Sequence, residues 1–379
     1  MYILTARRPL SQKVGSMSKS GNEGNGTNPA VTLKAVANHL GLSPGTVSSV
    51  LNNAPSARHI PQHTRNRIVA AARELNYRPN FFARSLRKQR TYTLGVIVAD
   101  FADAYAALVI AGIEKYARER DYSFILGVHG QNPDLLETCS RLLLRRGVEG
   151  LITAGLNTPA PIPLPTVAVS GHGQHEGVTN IVLNHRRAVE MALRHLVELG
   201  HRDIAFLVGH PTSSDSEARW NAIREVAPEL GIIIRPELTL HIEGMDSSPE
   251  LGYPLGKRLM AQKIPFTALF AFNDVSAIGA IRAFREAGAR VPNDISVVGF
   301  DDILAAAYNH PSLTTVRQPM RLMGELATKT LLQKIENDGE YPSEIEVDPE
   351  FVVRESTAPR SSTFRGETTS TSIVMPSGS

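Results

Sequence analysis

The chain has 379 residues, 42% of them hydrophobic and 20% charged; this is the composition of an ordinary soluble protein, and the length implies two or three domains rather than one core. A single cysteine, Cys139, excludes an intrachain disulfide framework, and no Cys/His cluster shows zinc-site spacing. The formal net charge of +3 conceals an asymmetry, because residues 1–90 hold 14 Lys/Arg against 2 Asp/Glu while residues 91–379 hold 26 against 35, so only the first quarter of the chain suits a polyanion.

Residues 1–30 carry Arg7, Arg8 and Lys13 with no apolar stretch after them, so no signal peptide is expected. The run "KSGNEGNGTNPA" is polar and of low complexity, and the segment reads as a disordered arm. No apolar run reaches membrane-spanning length, and the cysteine usage suits a reducing cytoplasm.

Thr32 can cap a helix whose apolar positions are Leu33, Val36, Ala37 and Leu40, one buried stripe. Gly41 fits the left-handed position that ends it. Ser43 and Pro44 are N-cap and first-turn residues for a second helix, with Val47, Val50 and Leu51 inward and Gly45, Thr46, Ser48 and Ser49 outward. The result is a helix-turn-helix whose second helix begins with small hydroxyl and glycine residues, suited to close approach to a major groove. A helical hairpin with no partner gives the same local pattern. A third helix over "PQHTRNRIVAAARELNY" has Ile68, Val69, Ala72 and Leu75 on one face and His63, Arg65, Arg67 and Arg73 elsewhere. Pro79 ends it. The acid-free segment "RPNFFARSLRKQRT" mixes Arg84, Arg87, Lys88 and Arg90 with Phe81, Phe82 and Leu86; it is too short and charged to be a stable helix alone, but could fold on DNA.

From Thr93 onward, strand-like and helix-like runs alternate: "TLGVIVA", "AALVIAGIEKYARERD", "YSFILGV", "DLLETCSRLLLRRG", "VEGLITA", and later "DIAFLVG", "TALFAF", "DVSAIGAIRAFREAG" and "ISVVGF". Such alternation predicts parallel sheets covered by helices, with ligands beyond the carboxyl ends of the strands. The polar residues at those ends are Asp100 and Asp103, Ser170, Asn273 and Asp274, and Asp301 and Asp302. Asp274 and Asp301 have a plainer reading, as caps of the helices that follow.

The stretches "VTLKAVANHLGLSPGTVSSVLN", "TRNRIVAAARELNYRPN" and "ARSLR", followed by "HLVELGHRDIAFLVG", "FAFNDVSAIGAIRAFREAG", "VPNDISVVGFDD", "PSLTTVRQP" and "VVREST", resemble the lactose/galactose-repressor (LacI/GalR) family in number, order and spacing. The resemblance implies an α/β fold class with a small all-α helix-turn-helix headpiece and a two-lobed, periplasmic-binding-protein-like (type I) effector domain. It implies a disordered arm over 1–30, a headpiece over 31–79, a hinge over 80–91, an effector-binding and dimerisation domain over 92–358 and a disordered tail over 359–379. The function implied is a ligand-responsive regulator that binds a palindromic double-stranded DNA operator as a homodimer, or a higher oligomer, without a membrane.

By motif position Thr32 touches phosphate, and Pro44, Gly45, Ser48 and Ser49 lie at base edges. Asn52, Thr64, Tyr77 and Asn80 contact the backbone, Leu86 wedges into the minor groove, and Ser43, Thr46 and Ala83 complete the DNA-binding set. The effector, a sugar or sugar derivative, is expected against Asp103, Tyr105, Arg219, Asn273 and Asp301. An Arg fork and carboxylates suit hydroxyl pairs or a carboxylate. No catalytic residue, metal or cofactor is expected.

The sequence departs from the family pattern at Ser49, where Arg or His is common, and in the loop "NAPSARHI", about three residues longer than usual. Pro61 replaces a common Ser cap. Asp103-Ala104-Tyr105 and Asn184-His185 also depart from the pattern and point away from a common hexose. An enzyme is the first rival, because "SGHGQHEG" holds Ser170 with two histidines and His129 sits at another strand end; without a nucleophile-elbow motif, a glycine-rich turn with incidental histidines is the expectation. A solute-binding protein on the same α/β fold is the second. The Ser/Thr-rich end has no heptads for a tetramerising helix.

Overall fold

The computed structural model describes residues 31–78, 90–130, 132–155, 163–173, 175–211, 213–243, 248–337 and 339–360. The chain divides into two compact units, Met1–Gln89 and Arg90–Ser379. The expected arm, Asn80, Ala83, Leu86 and most of the hinge and tail lie outside the described residues. The last two hinge positions belong to the second unit: Glu149 pairs with Arg90 at 2.9 Å and accepts from the backbone N–H groups of Thr91 and Tyr92 at 2.5 and 2.8 Å. Arg360, placed in the tail by sequence, donates its backbone N–H to Leu199 at 2.8 Å.

The first unit contains α1 (Leu33–Leu40), α2 (Pro44–Leu51), a 3₁₀ turn (Pro55–His59) and α3 (Gln62–Glu74). Thr32 caps α1 by accepting from the Ala35 N–H at 3.2 Å, and Gly41 ends it in the left-handed region at φ 63°. Val36, Ala37, Val47, Val50, Ala57, Ile68 and Ala71 form the core; fully burying a side chain such as Ile68 contributes about 1.5–3 kcal/mol. Two expectations are corrected. Val69 is 37% exposed, and Ala71 and Ala72 take the inner face with Ile68, the i, i+3, i+4 positions of a 3.6-residue helix. Ser48, expected outside, is only 8% exposed, and its Oγ accepts from Asn52 Nδ2 at 3.2 Å.

The second unit has two sheets. The first orders its strands β11-β5-β4-β3-β1-β2: β1 (Thr93–Val98), β2 (Ser123–Val128), β3 (Leu151–Ala154), β4 (Thr166–Val169), β5 (Val178–Leu183) and β11 (Glu344–Val347). All its pairs are parallel. Its helices are α4 (Ala104–Glu119), α5 (Pro133–Arg145) and α11 (Met320–Glu336). The second sheet orders β12-β10-β9-β8-β6-β7: β6 (Ile204–Val208), β7 (Thr239–His241), β8 (Ala268–Phe270), β9 (Ser296–Asp301), β10 (Thr314–Arg317) and β12 (Glu350–Val352). Only β12 runs antiparallel, against β10. Around it lie α6 (His185–Glu198), α7 (Ser214–Glu229), α8 (Pro249–Ala261), α9 (Asp274–Glu286) and the short α10 (Leu304–Tyr308). Strands such as β1 and β9 are buried along their whole length, as strands covered by helices on both faces must be.

The chain crosses between lobes three times, at Asn184, at Gln318–Pro319 and at Asp348–Pro349. The first and third crossings are tied: Asn184 Nδ2 donates to Glu346 at 2.8 Å, and Arg187 pairs with Asp348 at 2.7 Å. Each lobe also carries one helix pair in contact through glycines. A Cβ on Gly112 of α4 would stand 2.0 Å from the Arg321 carbonyl oxygen of α11, and one on Gly279 of α9 would stand 1.9 Å from the Pro249 oxygen of α8.

Candidate DNA-binding face and ligand cleft

Three helix starts present the DNA-binding candidates. Ser43 Oγ accepts from the Thr46 N–H at 3.1 Å and shares a hydrogen bond with Thr46 Oγ1 at 2.9 Å. Pro44 follows in the first turn, and Gly45 is exposed with only Ser43 Oγ, 3.7 Å away, near the position of an added Cβ. Thr32 opens α1 and Thr64 lies in the first turn of α3. A helix N-terminus offers unsatisfied N–H donors and a partial positive charge to phosphate. Ser49 is half-buried and accepts from Ser56 Oγ at 3.1 Å, so the long loop is bonded to α2. Asn52 is exposed, but its Nδ2 donates back to the Ser48 carbonyl at 2.8 Å. Tyr77 packs on the headpiece core, and burial pushes its phenol up.

In the second unit the strand ends gather four of the five effector candidates. Tyr105 shares a 2.5 Å hydrogen bond with Ser170, and burial, reinforced by the Asp215 charge, pushes its phenol well up, so it stays neutral. Arg219 is 3% exposed. Its guanidinium carbon lies 3.5 Å from the centre of the Phe300 ring and 4.5 Å from that of Phe272, and Nη1 donates to the Phe272 carbonyl. Its Nε, buried, has no hydrogen-bond partner. Asp301 accepts from Gln318 Nε2 at 2.6 Å. Burial pushes its carboxyl well up, against the opposing pull of Arg219. Asp103 and Arg219 both act on Asp301, and Asp103 also acts on Tyr105.

The backbone of this region is strained, since Ser170, Asp301 and Asp302 hold φ of 54°, 115° and 58° without being glycine. Such strain persists only where surrounding bonds fix it. Asp302 is fixed by Arg317 and Arg354 at 2.7 and 2.6 Å.

The capping reading is realised at two other positions. Asp103 accepts from the Tyr105 N–H at 3.1 Å and caps α4, and Asn273 caps α9 in a reciprocal box with Ser276. Asp274 and Asp301 are not such caps. Asp274 instead accepts from the Ile303 N–H at 2.9 Å and Thr315 Oγ1 at 2.6 Å.

Sequence reasoning missed Phe272, Phe300, Gln318 and Asp215. The i, i+4 spacing of Asp215 and Arg219 was the one local signal, and these two side chains stand 3.8 Å apart. It also read His172 as incidental. His172 Nε2 and His185 Nε2 lie 2.8 and 3.3 Å from the same Asp215 oxygen, Oδ1. Burial opposes charge on Asp215, but bonds to both rings and the Arg219 charge hold its carboxyl well below the usual range. Burial lowers His185 and keeps it neutral.

Residues 32–80 match the family described as bacterial regulatory proteins, lacI family, and residues 193–357 match a periplasmic binding protein-like domain. The HTH-type transcriptional repressor PurR of Escherichia fergusonii is 34% identical over 336 residues, covering 86% of this chain and 97% of that protein. PurR of Pasteurella multocida is 32% identical over 337 residues, covering 87% and 99%. The lac repressor dimer bound to operator and the anti-inducer ONPF superposes with a TM-score of 0.77 at 29% identity, covering 87% of this chain and 99% of that one. No described helix is long and apolar enough to cross a membrane. The three-helix headpiece, the two crossed-over lobes and relatives that match over nearly their whole length place the chain in the lacI family, as a ligand-responsive, DNA-binding transcriptional regulator.

Proposed function

We propose that this regulator is a repressor that presents the start of α2 to the major groove of a palindromic operator and holds a small polar effector between its lobes, against Arg219, Asp301 and Tyr105. Arg219 carries the reading. A guanidinium seated over two aromatic rings, with a buried donor unused and the Asp301 carboxyl acting on it, is organised before any ligand arrives. The mixture of fixed donors and acceptors suits a sugar or sugar derivative, and the similar regulator CelR, 27% identical with a TM-score of 0.63, is known as a cellobiose complex. Ser170 is committed to Tyr105 by a hydrogen bond, which suits a binding role for it.

A thermal-shift screen with sugars and nucleobases identifies the effector, because a ligand of the folded state raises the melting temperature. Arg219→Lys keeps the charge but loses the planar fork, and should weaken that ligand about 10-fold or more while leaving operator affinity of the free protein intact. Unchanged ligand affinity in this variant would remove Arg219 from the site.

A further inference from the structure

We propose that His172, His185 and Asp215 form a binding site for one divalent transition-metal ion that bridges the two lobes. His172 lies in the loop after β4 of the first lobe, His185 is the first residue of α6, and Asp215 is in the first turn of α7 in the second lobe. Their ligand atoms, two imidazole nitrogens and a carboxylate oxygen, all lie within 4.8 Å of one another. Donors around a zinc-sized ion at about 2.0–2.2 Å stand roughly 3–4 Å apart, so closure of about 1 Å completes the site. Two imidazoles and one carboxylate suit zinc, cobalt, nickel or ferrous iron, and select against magnesium or calcium.

The surroundings prepare these three groups as ligands. Asp215 uses Oδ1 towards both rings, while Arg219 lies behind it, 3.8 Å from Oδ2. The His185 ring stacks 6.3 Å from Phe300, which fixes its orientation. Such outer contacts set the direction of a metal ligand. The His172 side chain is 24% exposed, against 6% and 9% for the other two, and marks the route from solvent. The coordination positions left over are open to water or to an oxygen donor from a cleft ligand.

The test uses the full-length protein freed of metal by chelation, titrated first with Co²⁺ and then with Zn²⁺, without DNA or effector. One Co²⁺ per chain should bind with visible d–d absorption, and Zn²⁺ should displace it and raise the melting temperature. His172→Ala, a partly exposed loop position, and Asp215→Asn, which preserves shape, should each weaken binding about 10-fold or more. Circular dichroism confirms that both variants fold, and the His172 variant keeps the test decisive if Asp215→Asn does not. Absence of Co²⁺ and Zn²⁺ binding at about 100 times protein concentration, or equal affinity in wild type and His172→Ala, would overturn the site. Because no sugar is present, this failure is distinct from failure of the effector reading.

Discussion

Gly45 separates a residue kept for folding from one kept for a partner. An added methyl group meets only Ser43 Oγ at 3.7 Å, and alanine is the better helix former by up to about 1 kcal/mol. Gly45→Ala should therefore leave the melting temperature unchanged or slightly higher, yet reduce operator affinity measured by titration on the operator duplex. Full operator affinity in that variant would show that the start of α2 does not approach DNA closely. Asp274 makes a different prediction. Burial, opposed by its bonds to Thr315 and Ile303, pushes its carboxyl up to about 7. Between about pH 4, the unfolded value, and pH 7, the folded chain holds a proton that the unfolded chain has released, so stability falls as pH rises, by up to ~1.4 kcal/mol per pH unit. Asp274→Asn should remove this part of the slope in urea denaturation at pH 5, 6 and 7. Parallel pH slopes in variant and wild type would contradict the assignment.

At the scale of elements, the two glycine-mediated helix pairs set how closely each lobe packs. On α9, a Cβ at Gly279 would meet the Pro249 oxygen at 1.9 Å and the Tyr253 nitrogen at 2.8 Å. Backbone atoms cannot swing away as a side-chain end can, so the helices must separate, at a cost of about 1–3 kcal/mol or more. Gly279→Ala should lower the urea midpoint accordingly, the opposite sign from the same change at Gly45. An unchanged midpoint would mean that α8 and α9 slide freely. The elements themselves were largely legible in sequence. Thr32, Gly41 and Ser43 occupy the capping positions that their chemistry predicts, and the predicted strand and helix runs named above are found. What periodicity did not decide was the choice between Val69 and Ala71, because an apolar residue 100° off the core stripe still looks like a core residue in a linear string.

For the whole molecule, the exposed apolar surface of the effector domain is the candidate contact between two copies of the chain. Ile125, Leu126 and Val128 of the edge strand β2 are exposed beside Leu135 and Leu142 of α5, and Leu304 and Tyr308 of α10 are 77% and 82% exposed. An uncovered apolar edge invites a partner strand or helix, and the structurally similar lac repressor is a dimer. Leu142→Glu combined with Tyr308→Glu should shift the sedimenting species to monomer. Operator affinity should then fall by about 100-fold or more, because the second headpiece no longer binds as an intramolecular event. A variant that remains dimeric with full affinity would place the contact elsewhere.

The sequence by itself determined the helix-turn-helix and the alternating α/β body, since each is written in local spacing, caps and stripes; Arg219 and Asp301 became candidates for the effector site through the family resemblance. Tertiary structure alone decided that Asn273 and Asp103 act as helix caps while Asp274 reaches across to Ile303 and Thr315. It alone decided that Arg219 lies over the rings of Phe272 and Phe300. It also joined His172 and His185 to Asp215, residues 43 and 30 positions apart. The reason is the threefold crossing of the chain between lobes: it brings strand ends distant in sequence to one cleft, and no local period records which side chains meet there.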